Sequence, residues 1–365
     1  MQSSLKPPAA SSAEAGKKPI RVFLVDDSPL ALVMLKRMLA TSPEIEIVGT
    51  ARNGREALAC FERTRPEVIC TDYHMPDMDG LELIEQTMAE FPRPILVISS
   101  IIHPDEREKA FPLLAAGAVD VFPKPTADTP FELAARSLVH KIKILSGVMV
   151  ISRRHAKHEK AASTATPVAR PKSSRSPSIV AIGASTGGPQ VLQAILSKLP
   201  SDFPCPILCV QHISAGFLQG LVTWLDGQCP LRVKIAEADE LAAAGTIYFA
   251  PGQYHLEINR HGRLLLSNAP AVDGHRPSVT MTFQSVARTY GSQALSVLLT
   301  GMGSDGATGL LDVSKAGGLT IAQNEESCIV FGMPNRAIEL GAAQHVLPAD
   351  EIAQSLIRLT ARTAT

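Results

Sequence analysis

The sequence of 365 residues lacks an excess of either charge, a long apolar run and an internal repeat. Its 35 Lys and Arg residues balance its 35 Asp and Glu residues, so bulk charge favours neither nucleic acid nor a membrane surface as a partner. No apolar run is long enough to span a bilayer, and the first residues lack the apolar core of a signal peptide. We therefore expect a cytoplasmic protein without membrane insertion, and the length favours two or three domains.

Cysteine pairs with the spacing of a zinc site are also missing. The six cysteines lie mostly within apolar runs, at positions 60, 70, 205, 209, 229 and 328. Thiols in such surroundings are expected to be buried and reduced, as in an intracellular protein.

Two polar segments divide the chain. Residues 1–18 are rich in Pro, Ala and Ser and predict a disordered tail. Residues 146–177 hold seven Lys or Arg and one acidic residue, and predict a basic flexible linker. A nucleic-acid patch is the alternative for this linker, but it lacks aromatic side chains on which bases could stack. Two folded domains then remain, at 19–145 and 178–362.

Strand-like and helix-like patterns alternate five times within residues 19–145. The predicted strands are 20–25, 45–51, 68–71, 95–98 and 119–122, and the predicted helices are 29–39, 54–64, 80–90, 106–116 and 129–145. Five such units predict an α/β domain with a doubly wound, five-stranded parallel sheet. Its functional site should lie beyond the carboxyl ends of the strands.

Charged and polar residues follow those strands. Asp26 and Asp27 come after the first strand and Asp72 after the third, while Ser99 and Lys124 end the fourth and fifth. Three carboxylates in one crevice repel one another unless a hard cation such as Mg²⁺ binds between them. The hydroxyl and the ammonium group could then bind a phosphoryl group. The alternative is an ordinary solvated rim with helix caps.

The second domain begins with a glycine-rich turn, Ile182-Gly183-Ala184-Ser185-Thr186-Gly187-Gly188. An apolar strand precedes it and an amphipathic helix follows Pro189. A serine at such a turn suits a nucleophile, because neighbouring backbone N–H groups can bind an oxyanion. The alternative is an anion-binding turn with Ser185 as the helix N-cap.

Further strand and helix patterns predict a mostly parallel α/β domain with one hairpin. The strands are expected at 179–184, 207–211, 233–237, 246–250, 295–300 and 319–322, with the hairpin at 255–267. The helices are expected after Pro189 and at 216–226, 278–290, 306–316 and 350–360. All these assignments follow the apolar periodicity and the turn residues.

His212 and Asp305 are the expected partners of Ser185. Each of the three follows a predicted strand, so loops at one sheet edge could bring a nucleophile, a base and an orienting carboxylate together. Their order, Ser-His-Asp, differs from that of the α/β-hydrolases, so that fold is not inferred. Asp305 could instead cap the helix after it, and three histidines compete as the base: His255, His261 and His275.

The first domain resembles the receiver domain of response regulators. The resemblance rests on Val25-Asp26-Asp27-Ser28, on the run from Thr71 to Gly80, on Ile98-Ser99-Ser100 and on Phe122-Pro123-Lys124-Pro125. It implies that Asp72 accepts a phosphoryl group, and that Mg²⁺ is held by Asp26, Asp27, Asp72 and the carbonyl of His74. It also implies that Ser99 and Lys124 sense the phosphoryl group. Val121 stands where many receivers carry an aromatic switch residue.

The second domain resembles the catalytic domain of the chemotaxis protein-glutamate methylesterases, the CheB family. The matching runs are 182–188, 210–212, 248–252, 275–279, 299–306, 322–324 and 331–334. The resemblance implies hydrolysis of glutamyl methyl esters on chemoreceptors, together with deamidation of particular receptor glutamines. Ser185, His212 and Asp305 would be the catalytic residues, no cofactor would serve ester hydrolysis, and the backbone N–H groups of Thr186 and Met302 are our candidates for the oxyanion hole.

The resemblance also implies partners and a location. Chemoreceptors would be the substrate and a chemotaxis histidine kinase the phosphodonor, with recruitment to receptor arrays at the inner membrane. We expect a monomer that does not bind nucleic acid, in which the unphosphorylated receiver lies across the Ser185 edge.

Two other functions remain open from the residues. A DNA-binding regulator would need a basic helix-turn-helix, whereas residues 178–365 hold 14 acidic and 11 basic residues. A non-catalytic scaffold would not need Ser185, His212 and Asp305.

Overall fold

The computed structural model describes residues 18–99, 104–126, 129–150, 176–214 and 216–361. Nearly all of the predicted tail and most of the predicted linker lie outside these ranges, as does Ser100 of the receiver motif. The domain boundaries therefore stay predictions. Within the described ranges, every helix is too short or too polar to reach across a lipid bilayer.

The first domain has a five-stranded parallel sheet with helices between its strands. Along the chain its elements are β1 (Ile20–Val25), α1 (Pro29–Leu39), β2 (Ile45–Ala51), α2 (Gly54–Thr64), β3 (Val68–Thr71), α3 (Gly80–Glu90), β4 (Ile95–Ser99), α4 (Pro104–Ala116), β5 (Asp120–Pro123) and α5 (Phe131–Leu145). The strand order is β2-β1-β3-β4-β5. The predicted doubly wound receiver architecture is confirmed.

Alternate residues of β1 pack on opposite faces of this sheet. Phe23 and Val25 belong to one apolar cluster, and Val22 and Leu24 to another. Both faces are covered by helices, which is why residues 22–25 are apolar without alternating polar residues. All four side chains are buried.

Three helices of this domain begin where the sequence provides a capping side chain. The side chains of Ser28, Asn53 and Asp79 accept hydrogen bonds from backbone N–H groups in the first turns of α1, α2 and α3. Such caps satisfy amides that have no partner inside the helix. Two of these helices, α1 and α2, begin within a few residues of the preceding strand, whereas α3 begins after a longer loop.

The second domain has a seven-stranded parallel sheet and a separate antiparallel hairpin. Its elements are β6 (Ile179–Ala184), α6 (Gly188–Leu196), β7 (Ile207–Gln211), α7 (Leu218–Asp226), β8 (Arg232–Ile235), β9 (Thr246–Phe249), β10 (His255–Ile258), β11 (Leu264–Ser267), α8 (Val279–Tyr290), β12 (Ala294–Leu298), α9 (Ala307–Lys315), β13 (Leu319–Gln323), α10 (Met333–Glu339), β14 (His345–Leu347) and α11 (Ala349–Thr360). The seven strands lie in the order β14-β13-β12-β6-β7-β9-β8, and β10 pairs with β11. The predicted fold class is confirmed.

Sequence reasoning missed two short elements, β14 and α10. β14 has three residues and only Leu347 of them is buried, so it shows no period. α10 has seven residues and begins at Met333-Pro334, too short a stretch to build an amphipathic pattern. Both form because their neighbours in space support them, β14 through its pairing with β13.

The two domains contact each other through α4 and α7. The rings of Phe111 on α4 and Trp224 on α7 stack with their centroids 5.8 Å apart and their planes 21° apart. Beside them, the Gln190 amide on α6 donates a hydrogen bond of 2.6 Å to the carbonyl of Ala118. The contact is therefore partly apolar and partly polar.

The predicted burial of the cysteines holds for only half of them. Cys70, Cys205 and Cys209 are buried, whereas Cys60, Cys229 and Cys328 are half-buried, and none of the six forms a disulfide. Burial raises the pKa of the Cys70 thiol to about 12, so that side chain stays protonated and unreactive at neutral pH.

Candidate active site and phosphorylation pocket

Ser185 lies where β6 ends, in the turn that leads into α6. Its backbone N–H donates to the carbonyl of Thr300 at 3.0 Å, which ties the turn to the segment after β12. The N-cap of α6 is Gly187, with φ of +77° and no capping side chain. The alternative role of Ser185 as the helix N-cap is thus not realised. A Cβ at position 187 would lie 2.6 Å from Ile329 Cβ, so the turn needs glycine there.

His212 follows β7 and is held to the nucleophile turn by the backbone. Its N–H donates to the carbonyl of Ala184 at 2.9 Å. The side-chain amide of Gln211 donates to two carbonyls, that of Ser185 at 2.7 Å and that of His212 at 2.8 Å. One buried glutamine therefore links the loop of the candidate nucleophile to the loop of the candidate base. The sequence places Gln211 within the matching run 210–212, but no pattern in it predicts this linking role.

Asp305 is bound to the His212 ring and to the start of α8. Its Oδ2 lies 2.9 Å from His212 Nε2 and accepts from the N–H of Val279 at 2.7 Å. Its Oδ1 accepts from the Ser278 hydroxyl at 2.7 Å and from the N–H of Thr280 at 3.0 Å. The carboxylate therefore lies at the N-terminus of α8, whereas the sequence suggested a cap on the following helix, α9.

The environment of Asp305 keeps it ionised. Burial alone would raise its pKa, but the hydrogen bond and charge of His212 and the donors from Thr280 and Ser278 outweigh burial. The pKa of the carboxyl is therefore held well below its usual range. Such a carboxylate can orient an imidazole and stabilise its protonated form.

One cleft of about 380 Å³ brings these groups together. It is lined by Ser185, Thr186, His212, His275 and Met302 of the second domain. The opposite wall belongs to α5 of the receiver and consists of Ser137, His140, Lys141 and Ile144. The receiver therefore forms one side of the candidate active site.

The second nitrogen of the His212 ring is not engaged by Asp305. Nδ1 is buried and has no hydrogen-bond partner among the described residues, so the Ser185 hydroxyl is not bonded to it. Catalytic hydrogen bonds often shorten only when substrate binds. The backbone N–H groups of Thr186 and Met302 also have no hydrogen-bond acceptor within the described ranges. A base and two free donors thus occur around one serine.

The competing histidines occupy three different settings. His255 is buried, with its ring bonded to the Ser278 N–H at 3.1 Å and to the carbonyl of Pro270 at 3.1 Å. His261 lies exposed in the hairpin turn. The ring of His275 stacks on that of His212, with centroids 3.9 Å apart and planes 3° apart. Only His275 of the three reaches the cleft.

The receiver sheet carries a second, strongly charged site. One oxygen each of Asp26, Asp27 and Asp72 lies within 4.8 Å of the others. Lys124 Nζ lies 2.9 Å from Asp26 Oδ2 and 2.6 Å from Asp72 Oδ2. Ser99 is buried, and its carbonyl accepts from the Lys124 N–H at 2.8 Å. Five predicted residues are thereby placed at one sheet edge.

The carboxylates of this site suit a hard divalent cation. Asp26 Oδ2 is buried and lacks a hydrogen bond of good geometry within the described ranges, although Lys124 lies close. Burial raises the pKa of Asp72 to about 6, Lys124 opposes that shift and Asp26 adds to it. A cation bound by these oxygens would offset the repulsion. The contribution of the His74 carbonyl stays a prediction.

The matches to protein-family models show the class of protein to which this chain belongs. Residues 22–136 match the family model of the response regulator receiver domain, and residues 180–356 match that of CheB methylesterase. The chain is thus a response regulator whose second domain is of an enzymatic type.

Curated relatives then show the family. The protein-glutamate methylesterase/protein-glutamine glutaminase 1 of Syntrophus aciditrophicus is 41% identical over 94% of this chain and 99% of its own length. The protein-glutamate methylesterase/protein-glutamine glutaminase 2 of Anaeromyxobacter dehalogenans is 43% identical over 96% of this chain and 99% of its own length. This chain therefore belongs to the CheB methylesterase family, and the resemblance inferred from the motifs is confirmed. Among solved structures, the Thermotoga maritima CheB methylesterase catalytic domain is 43% identical, covering 51% of this chain and 100% of its own, with a TM-score of 0.49.

Proposed function

We propose that this protein is a phosphorylation-regulated serine esterase that hydrolyses glutamyl methyl esters on chemoreceptors, in chemotaxis or a related chemosensory pathway. The relatives named above carry both methylesterase and glutaminase in their names. The observation that carries the proposal is that Ser185 and His212 line one cleft, while the Asp305 carboxylate lies behind the imidazole, 2.9 Å from its Nε2.

The bond to Asp305 decides which ring nitrogen acts as the base. Because Asp305 occupies Nε2 of His212, the proton of the Ser185 hydroxyl passes to Nδ1. The serine oxygen then attacks the ester carbonyl, and Asp305 stabilises the imidazolium that forms. The N–H groups of Thr186 and Met302 donate to the oxyanion, each contributing about 3 kcal/mol to transition-state stabilisation.

Collapse of the tetrahedral intermediate breaks the bond to the methoxy oxygen. His212 returns its proton to that oxygen, and methanol leaves a glutamyl ester on Ser185. A water molecule, deprotonated by the same ring, then hydrolyses the acyl-enzyme and frees the receptor glutamate. Deamidation of a receptor glutamine follows the same steps, with ammonia as the leaving group.

The receiver site is proposed to accept the phosphoryl group on Asp72. Asp26, Asp27, Asp72 and the carbonyl of His74 would hold Mg²⁺, which neutralises charge on the phosphoryl oxygens when bound. The Asp72 carboxylate attacks phosphorus, and the donor histidine leaves. Lys124 and Ser99 then bind oxygens of the acyl phosphate.

Regulation is proposed to act through the wall that α5 contributes to the cleft. A receptor segment must reach Ser185, and Ile144 and Lys141 of α5 line the space in front of it. Phosphorylation of Asp72 would weaken the contact between the domains and open this approach. Val121 is buried in β5, where many receivers carry an aromatic switch residue, so the signal would leave without a swinging ring.

Partners follow from the two proposed reactions. A chemotaxis histidine kinase would supply the phosphoryl group, and methylated chemoreceptors would be the substrate. A monomer recruited to receptor arrays is the expected working form.

Methanol release from methylated receptor membranes, with and without acetyl phosphate, tests this function. We expect turnover by the wild-type chain, stimulation by the phosphodonor, and loss of turnover in Ser185→Ala. Equal methanol release by wild type and Ser185→Ala would overturn the esterase proposal. An absence of stimulation by acetyl phosphate would overturn the proposed regulation alone.

A further inference from the structure

The ring of His275 lies flat against the ring of the candidate base. The two centroids are 3.9 Å apart and the planes are within 3° of parallel. His275 is half-buried and lines the cleft next to Ser185. This contact fixes the plane of the His212 ring, whereas Asp305 fixes only the direction of one nitrogen.

A single short segment supports His212 in both ways. The backbones of Val272 and His275 are joined by two hydrogen bonds, of 2.9 and 3.1 Å, which hold the stacked ring in place. Only three residues further on, Ser278 begins the run of donors that binds the Asp305 carboxylate. The same stretch of chain therefore positions both the His275 ring and the Asp305 carboxylate, the two groups that contact the His212 ring.

We propose that His275 is a positioning residue for His212, whose uncharged ring holds the base in plane and stabilises its imidazolium form by stacking. Aromatic rings stabilise one another in offset or stacked pairs, and a cation on a π face is attracted to it. The inference rests on the proposed function, because it assigns the support of that same base.

The charges around His275 decide when its ring is neutral. Burial and the neighbouring His212 lower the pKa of His275, while Asp305 and Asp273 oppose that shift. His140 and Lys141 of α5 face the same cleft, and Arg276 is the next residue. The ring is therefore neutral at neutral pH. In acid, two stacked imidazolium rings would repel each other at this distance.

Two substitutions of His275 distinguish the effect of its stacked ring from the effect of its protonation. His275→Phe keeps an aromatic ring that cannot titrate, and His275→Leu removes the ring at similar volume. His261→Leu is the matched control, because His261 is exposed in the hairpin turn and outside the site. All variants are made in the full chain without phosphodonor, and their melting temperatures are measured.

Methanol release gives the first readout. For His275→Leu we expect kcat about tenfold lower with KM within about twofold of wild type. The reason is that stacking stabilises the imidazolium that forms during the reaction and does not contribute to substrate binding. For His275→Phe we expect a loss of less than about threefold. Below neutral pH, protonation of His275 should make kcat/KM of the wild type fall more steeply than that of His275→Phe, which lacks this titration.

Labelling of Ser185 by a fluorophosphonate gives a second readout that does not depend on receptor substrate. The rate constant should fall in the same order, wild type above Phe above Leu, with His261→Leu equal to wild type. If the wild type is labelled but releases no methanol, the proposed function fails while the labelling order still decides this inference.

Three results would overturn the positioning role. Equal loss in the Phe and Leu variants would show that stacking is not what His275 provides. A loss in His275→Leu as large as that in His212→Ala would make His275 the base itself. Unchanged labelling in His275→Leu would remove any role in activating Ser185.

Discussion

The two sites of this protein lie at the carboxyl edges of parallel sheets, yet they are built differently. The receiver edge concentrates charge: Asp26, Asp27 and Asp72 lie together with Lys124 beside them. The catalytic edge is built around the Asp305 carboxylate, which is buried and bound by four donors. The first suits the binding of a cation and a phosphoryl group, and the second suits the orientation of a ring.

This difference explains the opposite pKa shifts of two buried aspartates. Burial dominates at Asp72 and raises its pKa to about 6. At Asp305, hydrogen bonds to the ionised form outweigh burial and lower the pKa. The pKa of a buried carboxyl therefore depends on the balance between desolvation, which raises it, and the hydrogen bonds and charges that stabilise the ionised form.

Removal of the nucleophile should have the largest effect, and it should abolish activity at the catalytic site while leaving the receiver site intact. Ser185→Ala should lower methanol release about 10⁶-fold, because no acyl-enzyme can form. Phosphorylation of Asp72 by acetyl phosphate should continue, since the receiver pocket shares no residue with the cleft. Ser201→Ala, at an exposed position, is the control and should behave as wild type. Failure of Ser185→Ala to be phosphorylated would contradict the independence of the sites.

Neutralising the buried carboxylate should have the next largest effect. Asp305→Asn should lower kcat about 10⁴-fold, because an amide cannot stabilise the imidazolium or hold its tautomer. It also places an N–H₂ group against donors such as the Val279 N–H, at a cost of about 1 to 3 kcal/mol in the free energy of unfolding. Methanol release and thermal denaturation measure the two effects, and full activity would exclude Asp305 from catalysis.

Acid should weaken the receiver site about tenfold. With a pKa of about 6 in the metal-free site, Asp72 is mostly ionised at pH 7 and mostly protonated at pH 5, where a proton competes with Mg²⁺ for the carboxylate. The apparent affinity of the receiver site for Mg²⁺, measured by calorimetric titration, should therefore fall about tenfold between these values.

The same pKa has a consequence for stability. Because the folded pKa lies above the unfolded value, the group stabilises the fold at low pH, and this contribution is lost as pH rises through about 6. Asp72→Asn should accordingly be stabilising at neutral pH. An apparent Mg²⁺ affinity that does not change between pH 5 and 7 would contradict the raised pKa of Asp72.

Weakening the contact between the domains should have the smallest effect. Trp224→Ala removes the ring that stacks on Phe111 and should raise unphosphorylated methanol release about threefold to tenfold, because α5 would cover the cleft less often. Gln190→Ala, which removes the hydrogen bond to the Ala118 carbonyl, should act in the same direction and less. Lower activity in both variants, with unchanged melting temperatures, would exclude an inhibitory contact.

The sequence predicted the long elements because their apolar patterns repeat over several turns or along buried strands. It did not predict β14 or α10, which are too short for a period. It suggested four histidines as candidates for the base and favoured His212. Their settings differ through contacts with residues far away in the chain, such as Pro270 at His255. The role of Gln211 was missed because its amide bonds only to backbone, which no motif describes.

The sequence by itself determined the two α/β domains, the family and the candidate residues at the strand ends, because strand–turn–helix patterns are local and each polar residue follows its own strand. Only the tertiary structure decided that Asp305 binds Nε2 of His212, that His275 stacks on that ring, and that α5 forms a wall of the cleft. These contacts join residues from different loops and different domains. Their geometry depends on how whole sheets and helices pack, which no local pattern contains.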